Sequence, residues 1–393
     1  MSGFLKTIVY ISYDGLTDPL GQSQILPYLR RLKRLGHDIS IISFEKDMGK
    51  LSALSVDLES EGIVWKAFSY RNSPALLSTF WNLWEARSYM KTYLFNSKKF
   101  DIVHCRGYIS SFLGAYLKRK FGVKFIFDMR GWWPDEKKDS GSWEKGLYKF
   151  VFYYFKKVER FFFRYADYII SLTEAGKSKI LLLGVANEKK IGVTSTCVDF
   201  DSFPEFSIEI RSETRKGLDI PLAAHVMVYS GALGGNYPVE ILLPIVESYL
   251  SFSGDNYFII ASHEDSQLAG FKSLKEFSRI RLVSSTYKEI HKVLMASDLG
   301  FIFYKPGISN IGRCPTKLGE YWASGLYVYY KGDDIGDLAS FAGRDFPLQQ
   351  YVENTVSSKQ MPVWSKSQLR DSAKELFNID NGVKFYNFVY SIL

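Results

Sequence analysis

The sequence is poor in the features that mark secreted, disulfide-stapled and membrane-spanning proteins. It has only three cysteines in 393 residues, and Cys105, Cys197 and Cys314 show neither metal-ligand spacing nor an even number. These cysteines indicate a protein of the reducing cytoplasm. No apolar run reaches the ~20 residues of a membrane span, and the apolar stretch 7–13 is too short for a signal peptide.

A strict Gly-x-Gly-x-x-Gly fingerprint is also missing, which disfavours a dinucleotide-dependent dehydrogenase. What the sequence does have is positive charge, since 50 Lys and Arg against 42 Asp and Glu give a net charge of +8. We therefore expect an anionic partner, either a nucleotide, a phospholipid surface or a nucleic acid. The chain length suits two domains, and an apolar content of 46% is enough for a large core.

Short apolar runs alternate with helical patterns along the whole chain. This alternation predicts parallel α/β sheets with helices on both faces, and the runs are continuously apolar, as strands covered on both faces require. The predicted strands are 7–12, 38–44, 63–68, 102–105, 124–128, 168–172 and 190–193 in the first half, and 226–230, 257–261, 281–283, 299–304 and 326–330 in the second.

The most specific pattern is the segment 313–328. Pro315 suits the first turn of a helix, Lys317 falls in that turn, Glu320 lies one turn later, and Gly325 ends the helix. A cation at a helix N-terminus attracts phosphate, and a carboxylate can accept two ribose hydroxyls. The segment predicts a site for a phosphorylated, sugar-bearing ligand, and the alternative is an ordinary helix with an exposed Lys/Glu pair.

The segment resembles the donor-site motif of GT-B glycosyltransferases of the retaining family 4, which reads roughly Pro-x-Lys-x-x-Glu-Tyr-x-Ala-x-Gly. The matching residues are Pro315, Lys317, Glu320, Tyr321, Ala323 and Gly325. The resemblance implies donor binding by Lys317 and Glu320, and we expect the neighbouring Arg313 and Thr316 to bind the donor as well. It also implies that no cofactor and no catalytic metal is needed beside the nucleotide-sugar donor.

The family fold implied by this resemblance is α/β GT-B, with two facing Rossmann-like domains and an interdomain cleft. We expect an N-terminal acceptor-side domain over residues 1–204 and a C-terminal nucleotide-sugar donor-binding domain over 205–380. A C-terminal helix within 381–393 is expected to cross back to the first domain.

The first loop of the second domain departs from the family pattern. Many family members have Gly-Arg-Leu here, followed by a lysine, and both cations hold the donor diphosphate; Ala232 stands at the arginine position. Either the glycine-loop N–H groups, including those of Gly231 and Gly234, replace these cations, or Arg313 and Lys317 do. The family's Glu-x7-Glu pair also lacks its first member, because that position is Gly312, so the donor sugar is not specified.

The segment 13–24 joins the first predicted strand to the first helix, and its amino-acid sequence resembles that of one bacterial subgroup of the family. Gly15 and Gly21 would let the backbone approach a phosphate, so Gly15 is predicted to bind the donor. The alternative is a flexible loop without a ligand.

Three polar residues follow or end two further predicted strands, at the sheet edge where ligands bind in open α/β folds. Asp128 is the candidate for acceptor activation. Arg130 stands where many family members have a histidine that contacts the donor sugar, and it could bind a phosphate or carboxylate through two N–H groups. His104 is either catalytic or a satisfied buried histidine.

The segment 144–168 interleaves cations with aromatic residues in a helical pattern. Its predicted core stripe is Leu147, Val151, Tyr154, Phe155, Val158, Phe162 and Tyr165. The cations Lys149, Lys156, Lys157 and Arg160 predict an interface with anionic lipid headgroups. The alternatives are a solvated basic helix with aromatics packed under neighbouring loops, or binding to RNA.

These features together predict a retaining glycosyltransferase that is peripheral on the inner face of the cytoplasmic membrane. It would move a sugar from a nucleotide-sugar to a lipid-linked or polysaccharide acceptor in cell-surface glycan assembly. Two alternatives remain: a non-catalytic sugar-nucleotide or glycan-binding relative that acts as an assembly partner, and a UDP-sugar epimerase or phosphorylase of the same architecture.

Overall fold

The computed structural model describes residues 5–262, 268–332, 334–344, 346–352 and 364–393. The chain divides into two compact units. The first unit comprises Met1–Pro134, Lys149–Ser195 and Ile379–Leu393, and the second comprises Asp135–Tyr148 and Thr196–Asn378. The segment 135–148 therefore packs with the second unit, although it lies within the first half of the sequence.

The first unit is built on a seven-stranded, fully parallel sheet with the strand order β3-β2-β1-β4-β5-β6-β7. The strands are β1 (Thr7–Ser12), β2 (Asp38–Glu45), β3 (Val64–Ser69), β4 (Ile102–Arg106), β5 (Lys124–Asp128), β6 (Tyr168–Ser171) and β7 (Ile191–Val193). The strand order reverses next to β1, and ligands of open α/β sheets bind at the carboxyl ends of strands near such a point.

The second unit contains a six-stranded parallel sheet with the order β10-β9-β8-β11-β12-β13. Its strands are β8 (His225–Ser230), β9 (Asn256–Ala261), β10 (Ile280–Val283), β11 (Leu299–Phe303), β12 (Tyr327–Lys331) and β13 (Leu348–Gln350). The sequence patterns predicted every strand except β13, which is short and exposes two of its three residues. The expectation of two parallel α/β sheets is confirmed.

Helices cover the sheets because the central strands, such as β1, β4 and β11, are buried on both faces. In chain order they are α1 (Pro19–Gln24), α2 (Leu26–Arg34), α3 (Leu51–Ser60), α4 (Ala75–Tyr89), α5 (Phe95–Ser97), α6 (Gly107–Phe121), α7 (Trp133–Asp139), α8 (Leu147–Tyr165), α9 (Glu174–Leu182), α10 (Ile208–Gly217), α11 (Val239–Phe252), α12 (Ala269–Lys272), α13 (Ile290–Met295), α14 (Thr316–Ala323), α15 (Leu338–Ala342), α16 (Lys366–Phe377) and α17 (Ile379–Ile392). The last helix, α17, packs against α2 in the first unit.

The predicted core stripe of α8 is partly wrong. Leu147 and Tyr154 are exposed, whereas Phe152 and Phe163 are buried together with Glu159. Glu159 is satisfied inside the unit because its carboxylate accepts a hydrogen bond of 2.6 Å from the Tyr108 hydroxyl and a second one from Lys156. A carboxylate with hydrogen-bond partners can thus lie on the buried face of α8. A pattern of apolar residues alone does not predict such a position.

Candidate functional site

Helix α14 holds the predicted donor-site cation in the second unit. Pro315 precedes the helix as its N-cap residue, and Gly325 closes it with a positive φ of 77°. The Lys317 Nζ donates a hydrogen bond of 3.0 Å to the Tyr229 hydroxyl. The same ammonium lies 4.1 Å from the Tyr229 ring centroid and 4.4 Å from that of Tyr237. Two aromatic faces therefore hold this cation in place.

Gly231 leaves the space that Lys317 fills. A Cβ at residue 231 would lie 2.8 Å from Lys317 Cε, and the backbone φ of +120° also disfavours any side chain. The predicted amide donors are engaged inside the protein, because the Gly231 N–H bonds to Ala261 O and the Gly234 N–H to Tyr237 O, both at 2.8 Å. Both alternatives for holding a diphosphate stay predictions, and in this structure the N–H groups of Gly231 and Gly234 are engaged within the protein.

Burial sets the protonation of the Lys317–Glu320 pair. It lowers the pKa of Lys317 to about 7, and the nearby Glu320 opposes this shift. Burial also raises the pKa of Glu320 to about 7, with Lys317 opposing. Both side chains therefore gain or lose a proton near neutral pH. A bound anion would favour the protonated form of the lysine.

Arg313 is the second cation of this cluster, and its guanidinium is oriented by three neighbours. It donates a 3.0 Å hydrogen bond from Nε to Asn310 Oδ1, lies 4.7 Å from the Tyr304 ring centroid, and has Glu136 Oε1 at 3.9 Å from Nη2. Burial raises the pKa of Glu136, although the charge of Arg313 opposes this shift. Thr316 is the first residue of α14 and is partly buried.

Glu136 and Asp139 were not predicted from the sequence as neighbours of this cluster. The Asp139 carboxylate accepts a 2.9 Å hydrogen bond from the backbone N–H of Ser309, in the turn 308–312 that precedes Arg313. Two acidic residues of the segment 135–148 therefore contact Arg313 and the turn that precedes it. The only signal in the sequence is their acidity, since nothing local shows that this segment packs on the second unit.

Two amides of the first loop bond within the protein. The Glu45 carboxylate accepts hydrogen bonds from the N–H groups of Leu16 (2.7 Å) and Thr17 (3.0 Å). A Cβ on Gly15 would lie 2.7 Å from Glu45 Oε2, so the glycine serves this internal contact. The buried Glu45 carboxylate thus lies beside this loop and accepts two of its N–H groups, and the phosphate-binding role of Gly15 stays a prediction.

His104 and Asp128 lie together in the first unit, but both side chains are fully buried. The His104 Nδ1 is 2.7 Å from the Tyr390 hydroxyl, and its Nε2 is 3.5 Å from Asp128 Oδ2. The Tyr386 hydroxyl donates to the same Asp128 oxygen at 3.1 Å. Both tyrosines belong to α17. The pair thus joins the last helix to the sheet, and the roles of Asp128 in acceptor activation and of His104 in catalysis stay predictions.

Arg130, the third predicted catalytic residue, lies at the edge of the same cluster. Its Nη1 is 3.8 Å from Asp128 Oδ2, and its backbone φ of +54° is unusual for a residue other than glycine. Burial disfavours the charged form of Asp128, yet Arg130, His104 and Arg106 together hold the pKa of this carboxyl below its ordinary value.

The predicted membrane-binding cations divide into two groups. Lys149, Lys157 and Arg160 are exposed on α8. Lys156 instead pairs with the buried Glu159 and lies 5.0 Å from the Trp132 ring centroid, so it contributes to packing. Beside the exposed cations, α8 exposes large apolar side chains, namely Phe150 (72% exposed), Tyr153, Tyr154 and Phe161.

Helix α4 carries a second exposed apolar stripe, which was not predicted from the sequence. Leu77, Phe80, Trp81 and Trp84 follow helical spacing and are each more than half exposed. Both α4 and α8 pack against α6, because the Arg87 guanidinium lies 4.2 Å from the Tyr116 ring centroid and Phe112 contacts Phe162 with ring centroids 5.3 Å apart. The two exposed surfaces therefore flank one helix.

No helix in the described part of the chain is long and apolar enough to cross a membrane. Within the same described ranges, no group of three or more His, Cys, Asp or Glu side chains is placed to hold a metal ion.

Residues 24–202 match the sequence profile of Glycosyltransferase Family 4, and no curated protein matches the chain in sequence. Among solved structures, a glycosyltransferase from Rickettsia africae ESF-5 is similar with a TM-score of 0.66 and 16% identity over 98% of both chains. HepE of Anabaena, in complex with UDP and glucose, has a TM-score of 0.68 and 11% identity over 99% of this chain and 100% of its own.

WaaG, a glycosyltransferase involved in lipopolysaccharide biosynthesis, is similar with a TM-score of 0.60 and 12% identity over 98% of this chain and 94% of its own. Identities of this size establish the fold alone. They confirm the predicted GT-B fold with two Rossmann-like units, and the family profile confirms the predicted resemblance over the first half of the chain.

Proposed function

This chain carries a Glycosyltransferase Family 4 domain within a GT-B fold, and from this premise we propose that it transfers a sugar from a nucleotide-sugar donor to a lipid-linked or polysaccharide acceptor. The reaction retains the anomeric configuration, as the family 4 resemblance implies, and serves cell-surface glycan biosynthesis. The observation that carries the proposal is Lys317, held between two tyrosine rings on a helix that also presents Glu320.

The donor diphosphate binds at Lys317 and Arg313, and Glu320 accepts hydroxyl hydrogen bonds from the ribose. Negative charge builds up on the leaving nucleoside diphosphate during transfer, and cations fixed in advance stabilise that charge without reorganisation. The aromatic faces around Lys317 and the Asn310 contact of Arg313 supply this fixation. The complex of HepE with UDP and glucose supports UDP as the first nucleotide to test.

Glu136 acts in this proposal as a positioning residue for Arg313. Its carboxylate lies 3.9 Å from the guanidinium. Glu136 is distant in sequence from Gly312, which stands where the family has a glutamate. Because Gly312 carries no side chain, Glu136 is the carboxylate that this chain places beside the donor-site arginine.

Replacing Glu320 with alanine should abolish the thermal stabilisation that the donor nucleotide confers. A ligand at 100 times its Kd stabilises the protein by about 2.7 kcal/mol, and this shift is measured with a panel of UDP-, GDP-, dTDP- and CMP-sugars. The matched control is Glu247→Ala, an exposed glutamate on α11 of the same unit. A shift with none of the nucleotide classes in the unsubstituted protein would overturn the donor-site proposal.

Donor affinity should fall as the pH rises above about 7. Burial lowers the pKa of Lys317 to about 7, and a diphosphate favours the protonated lysine, so binding above this pKa takes up a proton. Affinity then falls by up to about tenfold per pH unit, and below the pKa the dependence levels off. The pKa of Glu320, raised by burial to about 7, acts in the same direction, because its ionisation adds negative charge near the diphosphate.

The measurement is calorimetric titration with UDP-glucose, whose diphosphate is fully ionised in this range, from about pH 6 to about pH 9. Lys317→Met should bind more weakly and show a smaller slope. A flat profile in the unsubstituted protein would contradict a role for the Lys317 charge in donor binding.

The enzyme is further proposed to be cytoplasmic and to lie on the inner face of the cytoplasmic membrane. The exposed cations and aromatics of α8 and the exposed stripe of α4 support this placement, since amphipathic surfaces with tryptophan and basic residues suit a headgroup interface. A lipid-linked acceptor would be presented at the same surface.

A non-catalytic sugar-nucleotide or glycan-binding relative is the second candidate. Ala232 replaces a family arginine, and the N–H groups of Gly231 and Gly234 bond within the protein, so fewer groups can act on the leaving diphosphate. Nucleotide-dependent stabilisation without any release of nucleoside diphosphate in the presence of acceptor would favour this candidate.

A further inference from the structure

Two arginines lie together at the carboxyl edge of the first unit's sheet. Arg106 is the last residue of β4 and pairs in register with Asp128, the last residue of β5. Arg130 follows β5 by two positions, and its Nη1 lies 3.8 Å from Asp128. Both arginines are almost wholly buried, with 5% and 12% of their side chains exposed. In open α/β sheets this edge is where ligands bind.

The buried groups around the two arginines leave one positive charge uncompensated. Among the described residues, Asp128 is the one buried carboxylate in an ion pair with them, because their other described ion-pair partner, Asp14, is half exposed and 3.7 Å from Arg106 Nε. Burial lowers the pKa of His104 and raises that of Tyr10 to about 12, so both are neutral at pH 7. Two guanidiniums therefore face one buried carboxylate.

Several guanidinium N–H groups also have no hydrogen-bond acceptor. Within the described part of the chain, Arg106 Nη1 and Arg130 Nε are buried without a hydrogen-bond partner, and Arg106 Nε has only its 3.7 Å ion-pair contact with Asp14. A buried donor without an acceptor is costly, and more so when it is charged. Planar oxyanions such as carboxylates, and phosphates, match the fixed fork of N–H groups on arginine.

The backbone at Arg130 is held in a left-handed conformation with φ of +54°. Such a conformation is unfavourable for a side chain other than glycine, asparagine or aspartate, and it persists where the surrounding structure enforces it, often at ligand sites. The strained backbone, the excess of positive charge and the unsatisfied N–H groups all indicate that Arg130 is placed for a ligand.

We propose that Arg106 and Arg130 bind an oxyanion carried by a substrate, either a carboxylate or a phosphate. The inference rests on the proposed transfer function, which offers two sources of that group. The transferred sugar could be a uronic acid with a carboxylate, or the acceptor could be a lipid carrier with a phosphate. Both sources present the same chemistry to the arginine pair, so the experiment must separate them.

Binding is measured by calorimetry with two anionic probes. The first probe is UDP-glucuronate, which is compared with UDP-glucose because UDP-glucose lacks the sugar carboxylate. The second probe is farnesyl diphosphate, a soluble lipid phosphate, which is titrated without nucleotide. We expect the affinity for one of the two probes to require the arginines. Arg130→Gln should weaken the binding of that probe by about tenfold to a hundredfold, because a charged hydrogen-bond donor is lost. Arg106→Gln should have a similar effect.

The control is Arg119→Gln, which removes an exposed arginine from α6 of the same unit and should leave binding unchanged. Arg130→Lys keeps a cation beside Asp128, so it serves if Arg130→Gln does not fold, and it should still bind more weakly because lysine lacks the planar fork. UDP binding should be equal in all variants.

If the arginine variants bind UDP-glucuronate more weakly, the donor sugar supplies the oxyanion. If they bind farnesyl diphosphate more weakly, the acceptor supplies it. If neither probe loses affinity in the arginine variants, the oxyanion site is overturned. Failure of UDP and UDP-glucose to bind any variant would instead count against the donor site at Lys317 and Glu320, and the farnesyl diphosphate titration would still decide the role of the arginines.

Discussion

Replacing Lys317 with methionine should slow sugar transfer by about two to three orders of magnitude in kcat/KM, the range measured when one fixed electrostatic donor is removed from an active site. The ammonium is held between the Tyr229 and Tyr237 rings, so it needs no rearrangement to meet the charge that develops on the leaving diphosphate. The measurement is the rate of nucleoside diphosphate release with donor and acceptor present.

This substitution should not unfold the protein. Burial lowers the pKa of Lys317, which means that the folded protein disfavours its charge, and an apolar side chain of similar length in a buried ionic site is often neutral or stabilising. We therefore expect an unchanged or higher melting temperature together with the loss of activity. Lys292→Met, which removes an exposed cation from α13 of the same unit, is the control and should keep its full rate.

A variant of Gly231 tests the same site through its neighbour. Gly231→Ala introduces a Cβ that would lie 2.8 Å from Lys317 Cε, so it should displace the ammonium and reduce transfer while leaving the lysine in the sequence. Transfer rates within about threefold of the unsubstituted enzyme in both Lys317→Met and Gly231→Ala would contradict the assignment of this cation to the leaving group.

The parts of the site that the sequence predicted are those encoded locally. The helix that begins after Pro315 and ends at Gly325 depends on residue types within one short segment, because proline favours a helix start and glycine a left-handed end. The order of strands and helices follows in the same way from continuous apolar runs. Lys317 and Glu320 could therefore be placed on one helix without a structure.

The parts that the sequence did not predict depend on contacts between distant residues. His104 contacts Tyr390, which is 286 residues away in the sequence. This contact joins the buried histidine to α17. Glu45 accepts the amides of the first loop, a use that a glycine-containing loop does not reveal. Likewise, Glu136 reaches Arg313 only because the segment 135–148 packs with the second unit.

Reversing four exposed charges on α8 should abolish binding to vesicles that contain anionic phospholipid. The variant changes Lys149, Lys157, Arg160 and Arg164 to glutamate and leaves out Lys156, because that side chain pairs with the buried Glu159. Each basic residue near an anionic surface contributes about 1 kcal/mol, so loss of four cations should weaken binding by about a thousandfold. Sedimentation with phosphatidylserine vesicles measures the change.

The control carries the same change in net charge on a different surface, with Lys272, Lys275, Lys288 and Lys292 of the second unit changed to glutamate. It should bind vesicles almost as the unsubstituted protein does, because attraction falls off within a Debye length of about 8 Å at physiological salt. If both variants lost binding equally, net charge rather than the α8 surface would be responsible. If neither lost binding, α8 would not be the membrane contact.

The stripe on α4 should supply the part of vesicle binding that salt does not weaken. Trp81 and Trp84 are each about half exposed, and moving a large apolar side chain out of water contributes about 1.5–3 kcal/mol. In 1 M salt, where the Debye length is about 3 Å, the residual binding of the unsubstituted protein should therefore disappear in Trp81→Ser/Trp84→Ser. Leu182→Ser on α9, which removes an isolated exposed apolar side chain, should retain it. Equal residual binding in the tryptophan variant would restrict the membrane contact to the cations of α8.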